Sequence, residues 1–327
     1  MNGFLKNIYA RGRELLPQPV KGIFTRYLYK MGVKPTVNPD PACFKKGIIV
    51  LSADFEMAWA FQYSKTLGDQ AVEQGLRERK NIPAILNLLD EYDIPVTWAT
   101  VGHLFLESCT RSNGDIHMDM PAPGHFENRN WSFLQGKWYQ FDPGTNYQQD
   151  PAWYAPDLVN QILSANTGHE IGCHTFSHID FSDKNCPGDL AEAEIRKCKE
   201  LAKKRNITLH SMVFPGGTEG NRSVLMENDF WGYRKPMKYD IDMPYIDENG
   251  LVAIPSSYGM DKPPYNWSEN TCFEIAKAFV DKAVTSKKVC HLWFHPSVHP
   301  WYLERVFPRI LEYIDSKRTE GDIEVNT

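Results

Sequence analysis

Apolar residues gather into short runs along the chain, separated by longer stretches whose apolar positions recur at helical spacing. The run at about 47–53, within GIIVLSADFEMAW, is continuous and short, which predicts a strand buried on both faces. Helical spacing predicts a helix over about 70–92, and PVTWATV a strand at about 95–101. A polar, aromatic insertion at about 108–153 follows, then a helix at about 156–166 and a short strand at 169–173. A helix at about 188–205 leads to a strand at 211–214 (SMVF) that runs into Pro215-Gly216-Gly217. Beyond it the pattern gives a helix at about 220–228, a short strand around 231–234 and a helix at about 269–286. A strand at 289–294 (VCHLWF) and a helix at about 301–316 close the series. Strands alternating with helices of this length predict an α/β fold with a parallel sheet covered by helices.

Polar residues with chemical potential recur at one position in these units. Asp54 and Glu56 follow the first strand, Thr100 and His103 the second, His174 and His178 the third. Pro215, Arg234 and His295 follow three later strands. In a parallel barrel these are the carboxyl ends of the strands, the face on which sites are built.

Two imidazoles four residues apart, in GHEIGCHTFSHIDFS, can reach one divalent ion across a strand-to-helix turn, with a carboxylate as third ligand. Zn²⁺ is the expected ion, since two His and one carboxylate leave a coordination position open and supply a Lewis acid suited to hydrolysis. Glu56 is the expected third ligand because its longer side chain reaches back toward His174 and His178. Asp54 is then the general base and His295 the acid that protonates a leaving amine. The roles of Asp54 and Glu56 are exchangeable at this level.

Composition narrows the picture. The 327 residues are 42% hydrophobic and 24% charged, enough for a substantial core. A net charge of −5 without a clustered basic excess argues against nucleic acid. The charge is uneven: residues 1–46 carry nine Lys or Arg against two acidic residues, and the remaining 281 carry 27 basic and 39 acidic side chains. Residues 1–46 therefore read as a basic helical arm appended to a domain over 47–327. In residues 3–30 apolar and basic side chains interleave, which predicts a helix packed on the domain or on another subunit in a homo-oligomer. Contact with a membrane surface is the second reading. No stretch approaches the roughly 18 apolar residues needed to span a bilayer. MNGFLKNIYARGRELLP also lacks the apolar core of a secretory signal, so the expected location is the cytoplasm. Seven scattered cysteines without a CxxC are expected to be reduced, mostly buried thiols.

The ordered set of acidic pair, GHEIGCHTFSH, Pro-Gly turn and late HLWFHP resembles the polysaccharide deacetylase superfamily, over about residues 47–300. The resemblance implies a distorted parallel (β/α) barrel and metal-dependent removal of an acetyl or formyl group from an amino sugar. By position it implies Asp54 as base, His174 and His178 as metal ligands and His295 as acid. Runs such as SADFEMAW, TWATVGHLF and FPGGTEGNRSVL are most similar to a cytoplasmic subgroup linked to bacterial O-antigen and surface polysaccharide synthesis, which implies a nucleotide- or lipid-linked amino sugar. Two departures stand out. Ser52-Ala53-Asp54-Phe55-Glu56 replaces the usual T-F-D-D-G, so metal binding shifts to Glu56 or Asp54. Val213 stands where an Arg usually precedes the Pro, leaving Arg234 or Arg222 to orient the catalytic Asp. Arg234, Trp59 and Pro215 are the residues expected to bind or orient substrate.

The insertion holds Trp131, Phe133, Trp138, Tyr139, Phe141, Tyr147 and Trp153, which suit either stacking on sugar rings or a small satellite core. Two rival functions remain: glycoside hydrolysis by Asp54 and Glu56, which leaves the histidines unused, and a catalytically inactive sugar-binding relative.

Overall fold

A continuous apolar run with alternate small polar residues makes Gly47–Phe55 a central strand, buried at every position. The computed structural model describes residues 44–261 and 267–327; the basic arm, apart from its last three residues, lies outside them, as does Cys43. Among the described residues a ten-stranded sheet forms, eight of whose parallel strands make its main run: β1 (Gly47–Phe55), β2 (Thr97–Thr100), β3 (Glu170–Cys173), β4 (Ser211–Val213), β5 (Gly232–Lys235), β6 (Val252–Pro255), β7 (Tyr258–Gly259) and β8 (Val289–Phe294). Their spatial order is β7-β8-β1-β2-β3-β4-β5-β6. Strands β6 and β7 are consecutive in the chain yet sit at opposite ends of this order. The sheet therefore curls round as a distorted parallel (β/α) barrel with its seam between them, the parallel sheet expected from the alternation in the barrel form that the resemblance implied.

The differences from the sequence pattern are local. Strands β6 and β7 are too short and too interrupted by Pro255 and Gly259 to show a period. Tyr245–Ile246 pairs antiparallel with the outer edge of β6. Ile323–Asn326 pairs with Gly47–Val50, the half of β1 below the point where β2 begins to pair at Ser52. The expected last helix is two, Pro300–Arg305 and Phe307–Thr319, because Pro308 has no N–H to continue the hydrogen-bond ladder and instead opens the second helix.

The core beneath the site is aromatic. Phe55 and Phe294 meet Trp98 edge to face, with ring centroids 6.2 and 6.4 Å away, and all three are excluded from solvent. Truncating one such ring costs about 3–5 kcal/mol. In the insertion, Trp131, Phe133, Trp138, Tyr139 and Trp153 are buried, and Trp138 stacks on Tyr63 at 4.7 Å. The aromatic stretch is thus largely a satellite core. Among the described residues, no helix is long and apolar enough to cross a membrane, and the six described cysteines are free thiols.

Candidate active site at the carboxyl ends of the strands

Alternation along β1 puts Ser52 and Asp54 on one side and Ala53 and Phe55 on the other. Phe55 thereby goes to the core, and Asp54 faces Arg234 of β5 in a two-point contact, Nη1 to Oδ1 and Nη2 to Oδ2, both 2.6 Å. Arg234 is itself fixed: it donates to Ser52 Oγ at 3.0 Å and lies 4.8 Å from the Trp293 ring centroid. Burial alone would raise the Asp54 carboxyl, but Arg234 outweighs it and holds the group below its usual range. Burial and Arg234 together push His291 down to about 3, so this ring is neutral and accepts at Nε2 from Ser52, 2.9 Å away.

Glu56 leaves the end of β1 and places Oε2 3.0 Å from His174 Nε2 and 3.1 Å from His178 Nε2. His174 Nδ1 is 2.7 Å from the Val213 carbonyl, which can only accept, so Nδ1 carries a proton. In its neutral form, the one that binds a metal, His174 turns its Nε2 lone pair toward a carboxylate oxygen that has only lone pairs of its own. A cation among the three groups resolves that opposition. Their donor atoms all lie within 4.8 Å of one another. Burial lowers His178 against the pull of Glu56, favouring the neutral imidazole that a metal requires. Burial would raise Glu56, yet His295, His178 and His174 hold it well below its ordinary value. Two imidazole nitrogens and one carboxylate oxygen form a donor set that suits a divalent ion such as Zn²⁺.

The two histidines do not sit on a strand-to-helix turn, since the helix starts only at Gly188. The loop instead bends through Thr175 (φ 59°) and His178 (φ 57°), both left-handed. Such conformations cost about 1–3 kcal/mol each and need support. It comes from Glu194, whose carboxyl accepts from Ser177 N at 2.9 Å and Ser177 Oγ at 2.8 Å, while Trp138 of the insertion donates to the same hydroxyl.

Burial raises Glu194 to about 7. The folded protein then holds a proton there that the unfolded chain releases near its ordinary value of 4.5. This contribution to stability is full below about 4.5 and is lost as pH rises through about 7, amounting to about 3 kcal/mol. Glu194→Gln should flatten that part of the curve in urea unfolding at pH 5 and pH 8. An unchanged slope would place the proton elsewhere.

His295 follows β8 with Nδ1 2.9 Å from Asp261 Oδ2 and Nε2 3.5 Å from Glu56 Oε1 and 4.0 Å from Asp54 Oδ2. Its side chain keeps about 30% exposure. Burial would lower it, but Asp261, Glu56 and Asp54 outweigh this and raise it to about 10. It is a cation at neutral pH beside two carboxylates.

Asp54, Glu56, His174, His178, Arg234 and His295 thus come together. Trp59 does not: it is buried, 4.2 Å from the His103 ring and 5.4 Å from Trp153, and donates to the Trp153 carbonyl. With both faces packed it has none for a sugar, so its part is structural rather than substrate binding. Pro215 opens the short turn Pro215–Gly217, whose Gly216 (φ 56°) packs on Asn130 and Trp131, so its effect is to shape the wall. Arg222 lies apart, paired with Glu219, Asp247 and Glu248. Thr100 donates to the Trp98 carbonyl, and His103 turns away toward Asp142. Sequence reasoning missed Asp261, Glu194 and Glu78. Glu78 Oε1 accepts from the Glu56 N–H at 3.0 Å, and burial with Glu56 nearby raises it well above its ordinary value. Its place on the inward face of helix Ala71–Glu91, in step with Asn81, Ile82 and Ile85, was the available signal.

A family profile described as polysaccharide deacetylase matches residues 69–235, just over half of the sequence. The chain belongs to the polysaccharide deacetylase family. Among solved structures, a protein of Mycobacterium smegmatis described as a polysaccharide deacetylase is similar, at 15% identity and TM-score 0.56 over 89% of each chain. One from Pseudomonas aeruginosa, described likewise, gives 14% identity and TM-score 0.54 over 85% of this chain and 87% of that one. The allantoinase Puue gives 15% identity and TM-score 0.53 over 91% and 93%. At these identities the likeness is one of fold. No curated protein matches. Within this polysaccharide deacetylase the matched stretch carries His174, His178 and Arg234, while Asp54, Glu56 and His295 lie outside it.

Proposed function

We propose that this deacetylase hydrolyses the N-acyl group, acetyl or formyl, of an amino sugar with the help of one divalent metal, most simply Zn²⁺. The observation that carries the proposal is Glu56 Oε2 set between His174 Nε2 and His178 Nε2 at 3.0 and 3.1 Å, with Asp54 clamped alongside by Arg234. Glu56, His174 and His178 would hold the ion, which when bound would supply Lewis acidity toward the amide carbonyl. Asp54 takes the proton of the attacking water, and Arg234 keeps it ionised and aimed. His295, protonated at neutral pH and exposed on one side, gives a proton to the departing amine, with Asp261 fixing its ring through Nδ1. The water proton and the amine proton thus have separate carriers. Trp131, 5.2 Å from the His178 ring, walls the site on the insertion side.

The same electrostatics weigh against glycoside hydrolysis, which needs a carboxylic acid of raised pKa. Asp54 and Glu56 are both lowered. They also weigh against an inactive sugar-binding relative, because the pairing of Arg234 with Asp54 supports Arg234 in the role of the Arg missing before Pro215. The runs shared with cytoplasmic members linked to O-antigen and surface polysaccharide synthesis support a nucleotide- or lipid-linked amino sugar inside the cell as substrate. Amine release from N-acetyl and N-formyl amino-sugar nucleotides and from N-acetylated oligosaccharides tests the proposal. Turnover of at least one class is expected, and release of reducing sugar without amine would replace the reading with glycoside hydrolysis.

A further inference from the structure

A second group of donor atoms lies outside the deacetylase site. The geometry points to a structural Zn²⁺ site formed by His103, Cys109, His117 and Asp142, which ties the aromatic insertion to the barrel. His103 comes from the turn after β2, and the other three come from separate points of the insertion. Their donor atoms lie within 4.8 Å of one another.

The separations approach those around one tetrahedral ion, matching closely for the sulfur and running a few tenths of an ångström short for the nitrogen and oxygen pairs. Zn–N and Zn–O bonds of about 2.0–2.1 Å and Zn–S of about 2.3 Å put neighbouring ligands about 3.3 Å apart, or about 3.6 Å where sulfur is involved. His103 Nε2 is 3.1 Å from His117 Nε2 and 2.9 Å from Asp142 Oδ2, and His117 Nε2 is 2.8 Å from the same oxygen. Cys109 Sγ is 3.7 Å from His103 Nε2 and 3.5 Å from Asp142 Oδ2.

The surroundings aim the donors inward. His103 Nδ1 is 3.2 Å from the Trp153 carbonyl, so it carries the proton and leaves the Nε2 lone pair for the cluster. Asp142 Oδ1 accepts from the Gly144 N–H at 2.8 Å and from the Tyr154 hydroxyl at 3.0 Å, leaving Oδ2 for both imidazoles. Carbonyl-oriented imidazoles and hydrogen-bonded carboxylates are the usual outer partners of metal ligands. Hydrogen bonds alone fit less well: His103 Nε2 and Asp142 Oδ2 are both acceptors, the one proton that His117 Nε2 can carry serves only one of them, and the Cys109 thiol lies nearer the carboxylate than the imidazole. On binding, Cys109 would release its thiol proton to solvent and coordinate as thiolate. A cavity of about 690 Å³ in the insertion is lined in part by His117, one of the four donors.

The consequence reaches the deacetylase site. The insertion that this ion would anchor also places Trp131 against His178 and Trp138 on Ser177. Cobalt distinguishes the two centres, because the Glu56, His174, His178 group contains no sulfur. The His174→Ala/His178→Ala variant loaded with Co²⁺ should hold one ion per chain and show a thiolate-to-cobalt charge-transfer band in the near ultraviolet. Adding Cys109→Ala should remove the band. Should that background not fold, wild-type protein supports the same comparison: two Zn²⁺ per chain, falling by one in Cys109→Ser/His117→Ala. Folded protein that takes up no metal at this cluster, or cobalt bound there without the sulfur band, overturns the inference.

Discussion

Asp54→Asn is expected to lower kcat about 100- to 10,000-fold, the usual worth of a positioned proton acceptor, while the metal content of the purified protein stays at the wild-type level. Asparagine keeps the shape of the carboxylate and can still accept from Arg234 through its amide oxygen. It cannot take a proton from water. Glu56, His174 and His178 are untouched by the change, so ion binding should persist. The pairing of outcomes carries the information: loss of metal together with activity would make Asp54 the ligand and exchange its role with that of Glu56.

Arg234→Met should act on the same carboxylate from the other side. The pair is largely buried, with side-chain exposures of 11% and 6%, and removing one partner of a buried pair costs about 3–5 kcal/mol. Without Arg234, burial acts unopposed and the Asp54 pKa rises. Since the ionised form is the base, the acid limb of the pH profile of kcat/KM should move to higher pH, and activity at mildly acidic pH should fall more than activity at pH 8. A purely structural arginine would reduce the amount of folded enzyme without moving that limb. Metal content again serves as the control, because Arg234 touches Asp54 and Ser52 rather than the Glu56 cluster.

How far these residues could be foreseen depended on how local their signals are. The parallel strands with flanking helices were legible from periodicity because each central strand is a continuous apolar run. The site residues were legible because they follow such runs, and alternation along β1 fixes that Asp54 faces the site and Phe55 the core. Arg234 could be named as a candidate, but only the curl of the sheet brings β5 opposite β1 and so Arg234 to Asp54. Asp261 and Glu194 were not legible. One follows a two-residue strand without a period, and the other is a carboxyl on a helix face, where an acidic residue ordinarily faces solvent. Trp59, expected to bind or orient substrate, is instead buried, because the left-handed Met57 (φ 52°) turns the segment back into the core. The sequence pattern of the insertion could not separate a sugar platform from a satellite core, since buried and stacking aromatics look alike until their neighbours are known.

The central claim is that Glu56, His174 and His178 hold the ion on which amide hydrolysis depends. Amine release from an N-acyl amino-sugar substrate, measured before chelation, after chelation and after return of Zn²⁺, in wild-type protein and in Glu56→Gln, tests it most directly. The account predicts that wild-type activity is lost with the metal and restored by Zn²⁺, and that Glu56→Gln is inactive with weakened metal binding at this site. Metal-free wild-type protein that still releases amine at the original rate would contradict it.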